Sequence, residues 1–291
     1  MNTQSNDYIY SNVQHDMEAE RLSLLNATHN PYTLKYLQKR IPGQKRILEI
    51  GCGNGDLAFN IAELKDNDAG LVAIDKAASQ VKSTQDSLAS KHKTHVYQLD
   101  VTEKDSVAIL QTLGPFDLIY CRWVICHIPY HQQSSVLKRL LSLLTEGSQF
   151  VMDECDNRYV SFVSHINDPA SYQLARQATY YFTQFYDLIA KQHNLNLKMD
   201  PNQAINLLNE AGQGKGEAKL LGTYQVPLKT RSDKRMVYLG KLSAAKAHAK
   251  LAEQEITDQI IQLYFEIMYH DSIEGQFLRQ NVVVFNNIRP T

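Results

Sequence analysis

The amino-acid sequence predicts an α/β fold in which a doubly wound, mostly parallel sheet carries helices on both faces. Two observations predict it. Between residues 46 and 153, five short apolar segments alternate with segments of helical periodicity. Continuous apolar strands are typical of a parallel sheet buried on both faces, and right-handed crossovers then give the doubly wound arrangement. The 291 residues, 43% of them hydrophobic and 21% charged, supply enough apolar side chains for a core.

The alternating region begins with a predicted strand at residues 46–50 and ends with one at 148–153. Three further strands are predicted between them, at 71–75, 95–99 and 116–121. Helical spacing of apolar side chains predicts connecting helices at 56–64, 77–90, 106–113 and 134–144. Each predicted helix joins two consecutive strands, as parallel pairing requires.

The flanking residues are predicted to be mainly helical. An amphipathic helix is expected at 18–26, and a second helix starts at Asn30-Pro31 and stops at Pro42-Gly43. After the fifth strand we expect helices at 169–193 and 201–211, a strand at 217–227, one or two helices at 244–269 and a strand at 280–288. The aromatic-rich helix at 169–193 fits either a core element or a lid over a pocket.

A glycine-rich turn follows the first predicted strand. Gly51, Gly53 and Gly55 allow a tight backbone turn and the close approach of a ligand to the helix that follows. The spacing is not the dinucleotide pattern G-x-G-x-x-G, because position 56 is an aspartate. Glu49, two residues before the first glycine, suits a ligand with an ammonium group better than a diphosphate.

Residues 49–55 resemble the first motif of the Rossmann-like (class I) S-adenosylmethionine-dependent methyltransferase family. Asp75 and Asp100, at the ends of the second and third strands, fall where that family has acidic residues, and residues 116–121 resemble its fourth-strand motif. The resemblance implies a seven-stranded sheet that closes with a reversed hairpin, for which 217–227 and 280–288 are the candidate strands. S-adenosylmethionine (SAM) is the implied cofactor.

The resemblance also implies which residues contact the cofactor. Asp75 would accept hydrogen bonds from the ribose hydroxyls, and Asp100 and the backbone of Val101 would meet the adenine. Residues at the end of the fourth strand would border the methionine part. The full implied set is Glu49, Gly51, Cys52, Gly53, Gly55, Asp75, Lys76, Asp100, Val101, Cys121 and Arg122.

His127 is the candidate catalytic residue, because histidine titrates near neutral pH and this one follows the fourth strand. A loop histidine that packs on the core is the alternative interpretation. Asp153, Glu154 and Asp156 follow the fifth strand, where sites occur in this architecture, but solvated loop acids explain them equally well.

The predicted reaction moves a methyl group to an oxygen, nitrogen or carbon atom of a small molecule. The acceptor class rests on absent patterns: the fourth strand is followed by Cys-Arg-Trp-Val rather than an Asn/Asp-Pro-Pro-aromatic motif. The alternatives are a protein or RNA methyltransferase, a non-catalytic methyltransferase-like binding protein and a nicotinamide oxidoreductase. We expect residues 1–45 to cap the site and one domain to span 46–291, with a helical substrate-cap insertion at about 157–201.

Composition limits the partners. The net charge of −1 argues against nucleic-acid binding, and the one locally basic stretch, 229–235, is interpreted as a solvated loop. No apolar run approaches the length of a membrane span. The four cysteines lack C-x-x-C spacing, which predicts free thiols, no metal site and a cytoplasmic location. A monomer or homodimer is expected.

Overall fold

The computed structural model describes residues 15–247 and 255–288. The helices are α1 (His15–Leu37), α2 (Asp56–Leu64), α3 (Ala78–Leu88), α4 (Lys104–Leu113), α5 (Tyr130–Leu141), α6 (Pro169–His193), α7 (Pro201–Gly212), α8 (Arg231–Ala247) and α9 (Glu255–Tyr269). The strands are β1 (Arg46–Ile50), β2 (Gly70–Asp75), β3 (Thr94–Gln98), β4 (Phe116–Arg122), β5 (Leu144–Asp156), β6 (Ser161–Ser164), β7 (Gly216–Leu228) and β8 (Ile273–Asn287).

The strands form one mixed sheet. The first five are parallel, in the order β3-β2-β1-β4-β5, and β8 then pairs antiparallel with β5. The other edge of β8 pairs antiparallel with β7. The doubly wound fold with its reversed C-terminal hairpin is therefore confirmed. The short strand β6, which the sequence analysis did not predict, follows β5 along the same edge of β8.

The sheet separates two apolar cores because successive side chains of a strand point to opposite faces. Ile47 and Leu118 belong to the core that also contains side chains of α1, α2, α6, α8 and α9. Leu48 and Ile119, the next residues along the same strands, belong to the core beneath α4, α5 and α7. Helices therefore cover both faces of the sheet, as predicted.

Helix α1 differs from its prediction because it runs without interruption through Pro31. A proline removes one backbone hydrogen bond from a helix but does not end it when other contacts hold both halves. Here Asn26, before the proline, and Thr33, after it, both bond to Arg122 of β4. The first fourteen residues lie outside the described part of the chain.

Helix α8 begins at Arg231, within the stretch interpreted as a solvated loop, so that interpretation was wrong. The Asp233 carboxylate accepts hydrogen bonds from the backbone N–H groups of Lys229 (3.0 Å) and Thr230 (2.8 Å), which satisfies donors at the helix start. The side chain of Lys234, within the same stretch, is buried. The predicted helical region 244–269 accordingly covers the end of α8 and all of α9, and residues 248–254 lie outside the described residues.

Helix α6 carries its aromatic residues on two faces. Phe182 and Phe185 are buried in the core, whereas Tyr172 and Tyr180 are exposed. The buried face makes α6 a core element. Among the described residues, none of the helices is both long and apolar enough to cross a membrane.

Candidate functional site

The turn between β1 and α2 requires glycine at three positions. Gly51, Gly53 and Gly55 have φ angles of +73°, +55° and +89°, in the left-handed region that side chains disfavour. A Cβ atom on Gly51 would lie 2.5 Å from Val124 Cγ2, and one on Gly55 would lie 2.8 Å from the Thr84 backbone. The turn is therefore packed against its neighbours, and its shape depends on the missing side chains.

Asp75, the last residue of β2, holds this turn in place. Its carboxylate accepts hydrogen bonds from the backbone N–H groups of Gly53 (3.1 Å) and Ala77 (2.9 Å). Burial raises the pKa of Asp75, and these two hydrogen bonds oppose the rise. Lys76 follows at the same edge, and its positive charge also lowers the pKa of Asp75. The predicted acid of the second strand and the glycine turn are thus in direct contact.

Glu49 lies on β1 just before the turn and is only 2% exposed. No hydrogen-bond partner for its Oε2 atom exists among the residues that the structure describes. Burial raises the pKa of Glu49 to about 8; the charge of Arg122 lowers it and that of Asp75 raises it further. An unpaired buried carboxylate is costly, so this atom favours a cationic or hydrogen-bond-donating ligand.

Asp100 and Val101 lie beyond β3, at the same sheet edge as Asp75. The Asp75 carbonyl accepts a hydrogen bond from the Leu99 N–H group (3.0 Å), which brings the two strand ends together. The Asp100 carboxylate accepts hydrogen bonds from the backbone N–H (2.9 Å) and the hydroxyl (2.7 Å) of Thr102. Asp100 thus forms a local turn, and the Val101 side chain packs in the core.

The two predicted cysteines of the site have buried side chains. The Cys121 thiol lies in the core beneath α5. Burial raises its pKa well above the usual value, and the negative charges of Glu154 and Asp153 raise it further. Cys52 is buried in the other core and accepts a hydrogen bond from the Thr84 hydroxyl (3.4 Å). Because the Cys121 side chain is buried in the core, only the backbone of Cys121 is available to a ligand at the end of β4.

Arg122, the last residue of β4, reaches α1 rather than solvent. It donates hydrogen bonds to the side chains of Thr33 (3.0 Å), Asn26 (2.6 Å) and Asn30 (3.0 Å). Asn26 in turn donates to Asn54 in the glycine turn (2.6 Å). These polar residues of α1 were missed by the sequence analysis, because hydrophilic positions on a helix normally face water and only the fold shows what they contact.

Asp153 is the centre of a buried polar network. Its Oδ2 atom accepts hydrogen bonds from the hydroxyls of Tyr224 (2.9 Å), Thr33 (3.2 Å) and Tyr120 (3.3 Å). Burial raises the pKa of Asp153 to about 6, although Arg122 and these hydroxyls oppose the rise. The network ties α1, β4, β5 and β7 together at the end of the parallel strands.

Glu154 and Asp156 are also buried strand residues, so the interpretation of these three acids as solvated loop residues was wrong. The Glu154 carboxylate accepts hydrogen bonds from the backbone N–H groups of Val124 (3.1 Å), Ile125 (2.7 Å) and Cys126 (3.3 Å). Asp156 pairs with Arg158. Glu154 therefore fixes the short 3-10 turn that carries His127.

His127 ends that 3-10 turn, Ile125–His127, and is partly buried. Burial lowers its pKa to about 4, and the positive charges of Arg21 and Lys76 lower it further. The imidazole is therefore neutral at pH 7 and is a weak base. Among the described residues no group of three or more histidines, cysteines and acids is placed to hold a metal ion.

The comparisons with known proteins agree with this geometry. The family described as "Methyltransferase domain" matches residues 42–218. The chain belongs to this methyltransferase family, which confirms the resemblance to the class I SAM-dependent enzymes. SAM is the cofactor of that family.

Two curated relatives and one solved structure illustrate the similarity. "Methyltransferase str3" of Strobilurus tenacellus is 31% identical over 152 residues, which cover 50% of this chain and only 49% of that protein. The "Ubiquinone biosynthesis O-methyltransferase" of Xanthomonas axonopodis pv. citri is 27% identical over 59% of this chain and 70% of its own. The YcgJ protein of Bacillus subtilis has a TM-score of 0.57 at 11% identity, covering 89% of this chain and 100% of its own, which shows a shared fold.

Proposed function

We propose that the protein is a SAM-dependent methyltransferase that acts on a small molecule. The observation that carries the proposal is the unpaired, buried Oε2 atom of Glu49 beside a turn of three left-handed glycines. Without a ligand this group keeps its proton near neutral pH, and the ammonium group of the cofactor's methionine part would stabilise its ionised form. Any side chain at Gly51 or Gly55 would collide with Val124 or Thr84, so only glycine at these two positions allows the turn to keep this shape.

The remaining residues of the sheet edge fit the other parts of the cofactor. Asp75 and Lys76 would hold the ribose, Asp100 and the Val101 backbone the adenine, and Cys121 through its backbone, with Arg122, the methionine end. Cys52, Gly53 and Gly55 complete the turn. When bound, the cofactor supplies an electrophilic methyl group on a sulfonium. The chain's own task is to hold the acceptor in line with that group and to exclude water.

The acceptor would bind between the sheet edge and the surrounding helices. We propose that residues 1–45, of which 15–45 are described, cap the site and that about 157–201, including α6, form a substrate cap. The network from Arg122 to α1 supports the first part of this proposal. His127 is neutral at pH 7, so it would accept a hydrogen bond from the substrate that receives the methyl group rather than act as a strong base. An oxygen acceptor is favoured by the O-methyltransferase relative.

Isothermal titration calorimetry with SAM, S-adenosylhomocysteine (SAH) and NAD tests the proposal. We expect both sulfur compounds to bind with dissociation constants of about 1–100 μM and NAD not to bind. Asp75→Asn should weaken SAH binding at least about tenfold. Asp86→Asn, on the exposed face of α3, is the matched control and should bind like the wild type. No binding of either sulfur compound would contradict the proposal.

We also propose a cytoplasmic location and a monomeric or homodimeric assembly. The support for the location is chemical: all four cysteines are buried free thiols, which suits a reducing compartment. Fractionation of cells that produce the protein checks the location, and sedimentation velocity of the purified chain checks the assembly. Recovery of the protein from an oxidising compartment would contradict the proposed cytoplasmic location.

A further inference from the structure

Outside the proposed cofactor site, two of the buried polar atoms that lack a partner among the described residues lie on α1 and β8, beside Trp123. The first belongs to His29, which is fully buried. Its Nδ1 atom is 2.9 Å from the Leu25 carbonyl oxygen. Because a carbonyl only accepts, Nδ1 carries the ring proton and Nε2 is left with a lone pair. Nε2 has no hydrogen-bond partner within the described part of the chain.

The second atom belongs to Gln280 of β8, which is also fully buried. The indole N–H of Trp123 donates to Gln280 Oε1, and this bond fixes the orientation of the amide because an indole nitrogen only donates. The amide nitrogen Nε2 is therefore a donor. Over the residues 15–247 and 255–288 it meets no acceptor.

The acceptor and the donor flank the same aromatic side chain. The His29 ring lies edge-on to Trp123, with 4.9 Å between ring centroids, while Gln280 bonds to the indole nitrogen. Phe277 lies beside both rings, at 5.5 Å from His29 and 6.4 Å from Trp123. Buried polar groups nearly always have partners, so an unpaired acceptor and an unpaired donor beside the same indole ring indicate a missing group that can both donate and accept.

We propose that His29 and Gln280 bind the hydroxyl of an aromatic alcohol, a phenol, as the specificity-determining part of the methyl-acceptor site. The hydroxyl would donate to His29 Nε2 and accept from Gln280 Nε2, and its ring would pack against Trp123 and Phe277. This inference rests on the proposed function, since it names the acceptor class of the same enzyme. Trp123 directly follows Arg122 at the end of β4, which supports a substrate site next to the proposed cofactor site.

The charge state of His29 agrees with an accepting role. Burial lowers the pKa of His29 to about 3, and the nearby Arg122 charge lowers it further, against the opposing effect of the Leu25 hydrogen bond. The imidazole is therefore neutral at pH 7. His29 orients the hydroxyl and selects for it, and no proton transfer to the ring is required.

Trp123 makes the inference directly measurable because it is the only tryptophan in the chain. Its side chain is partly exposed, so a change in its surroundings on binding should alter its fluorescence. We would titrate p-cresol and p-xylene, which differ by a hydroxyl in place of a methyl group, and follow tryptophan fluorescence with and without SAH. We expect p-cresol to bind at least about tenfold more tightly than p-xylene.

Variants locate the hydroxyl. His29→Phe and Gln280→Met should each reduce the preference for p-cresol to about threefold or less, because each removes one hydrogen bond. His29→Gln, whose amide oxygen accepts, should restore part of it, which a purely structural role of His29 would not predict. His95→Phe, an exposed histidine on β3, is the control and should keep the wild-type preference. Circular dichroism melts of each variant identify any that fail to fold, and Gln280→Met then decides independently of His29.

Equal affinities for p-cresol and p-xylene in the wild type would overturn the inference and assign the two atoms to a buried water. A preference that survives in both His29→Phe and Gln280→Met would also overturn it, since the hydroxyl would then bind elsewhere. Calorimetry with SAH on the same samples separates this result from the proposed function. SAH binding without a hydroxyl preference contradicts the acceptor site alone, whereas absent SAH binding contradicts the methyltransferase proposal.

Discussion

The buried carboxyl group of Glu49 links the stability of the protein to pH. Burial raises its pKa to about 8 from an ordinary value of 4.5. Between these two values the folded protein keeps a proton that the unfolded chain releases. The stability contributed by this protonated group is therefore complete below about pH 4.5 and is lost as the pH rises through about 8.

Glu49→Gln removes this ionisation and keeps the shape of the side chain. Between about pH 5.5 and about pH 8.5, the free energy of unfolding should fall by about 3 kcal/mol less in the ligand-free variant than in the wild type. Urea unfolding at the two pH values measures the difference. Asp153 and Glu154, whose pKa values burial also raises, are present in both proteins and largely cancel. Identical pH slopes would show that Glu49 ionises freely in the folded state.

At the scale of elements, helix α1 is held to the sheet by polar bonds as well as by apolar packing. Thr33 has a central place in that contact, because its hydroxyl donates to Asp153 and accepts from Arg122. Asp153 is buried and Arg122 is partly buried, so this hydroxyl joins two charged groups of the sheet to the helix. Asn26 and Asn30 of α1 add further hydrogen bonds to Arg122.

Thr33→Val should lower the free energy of unfolding by about 1–3 kcal/mol, because it removes one hydrogen bond from each of two charged groups while keeping the volume. It should also speed limited proteolysis within α1. Thr28→Val is the matched control on the same helix, since among the described residues that hydroxyl bonds to the Leu24 and Leu25 carbonyls and the Met236 sulfur and to no charged group. We expect the control to change stability by less than about 0.5 kcal/mol. Equal losses in the two variants would argue against the polar docking of α1.

For the whole molecule, the sequence predicts the parallel half of the sheet well because its signals are local. Apolar runs, helical spacing and the glycine turn each occupy a few consecutive residues, and β1 and α2 have the predicted bounds. The continuity of α1, the strand β6 and the start of α8 depend on contacts between distant segments. The same is true of the site: Glu49 and Asp75 stand beside a recognisable turn, whereas His29 and Gln280 are 251 positions apart and meet only through Trp123.

The helices outside the parallel half meet around a buried lysine. Lys241 of α8 is fully buried, with its Nζ atom 3.6 Å from the ring centre of Phe182 and 3.7 Å from that of Tyr186, both on α6. The ring of Tyr264 on α9 lies 5.2 Å away. Burial lowers the pKa of Lys241 well below its usual value. Within the described residues the amine donates a long hydrogen bond of 3.4 Å to the Phe182 carbonyl, so desolvation costs more than this bond returns.

Lys241→Met keeps the aliphatic volume and removes the buried amine. We expect it to raise the free energy of unfolding by about 1 kcal/mol in urea titrations at neutral pH, because the desolvation that is relieved outweighs the lost contacts with the ring faces. Lys241→Ala should instead lower stability by about 2 kcal/mol or more, since it leaves a cavity among three helices. Lys246→Met, exposed on the same helix, is the control and should be nearly neutral. If Lys241→Met destabilises the protein as much as Lys241→Ala does, the attraction between the ammonium group and the aromatic rings holds α6, α8 and α9 together, and the charge rather than the packing stabilises this half of the molecule.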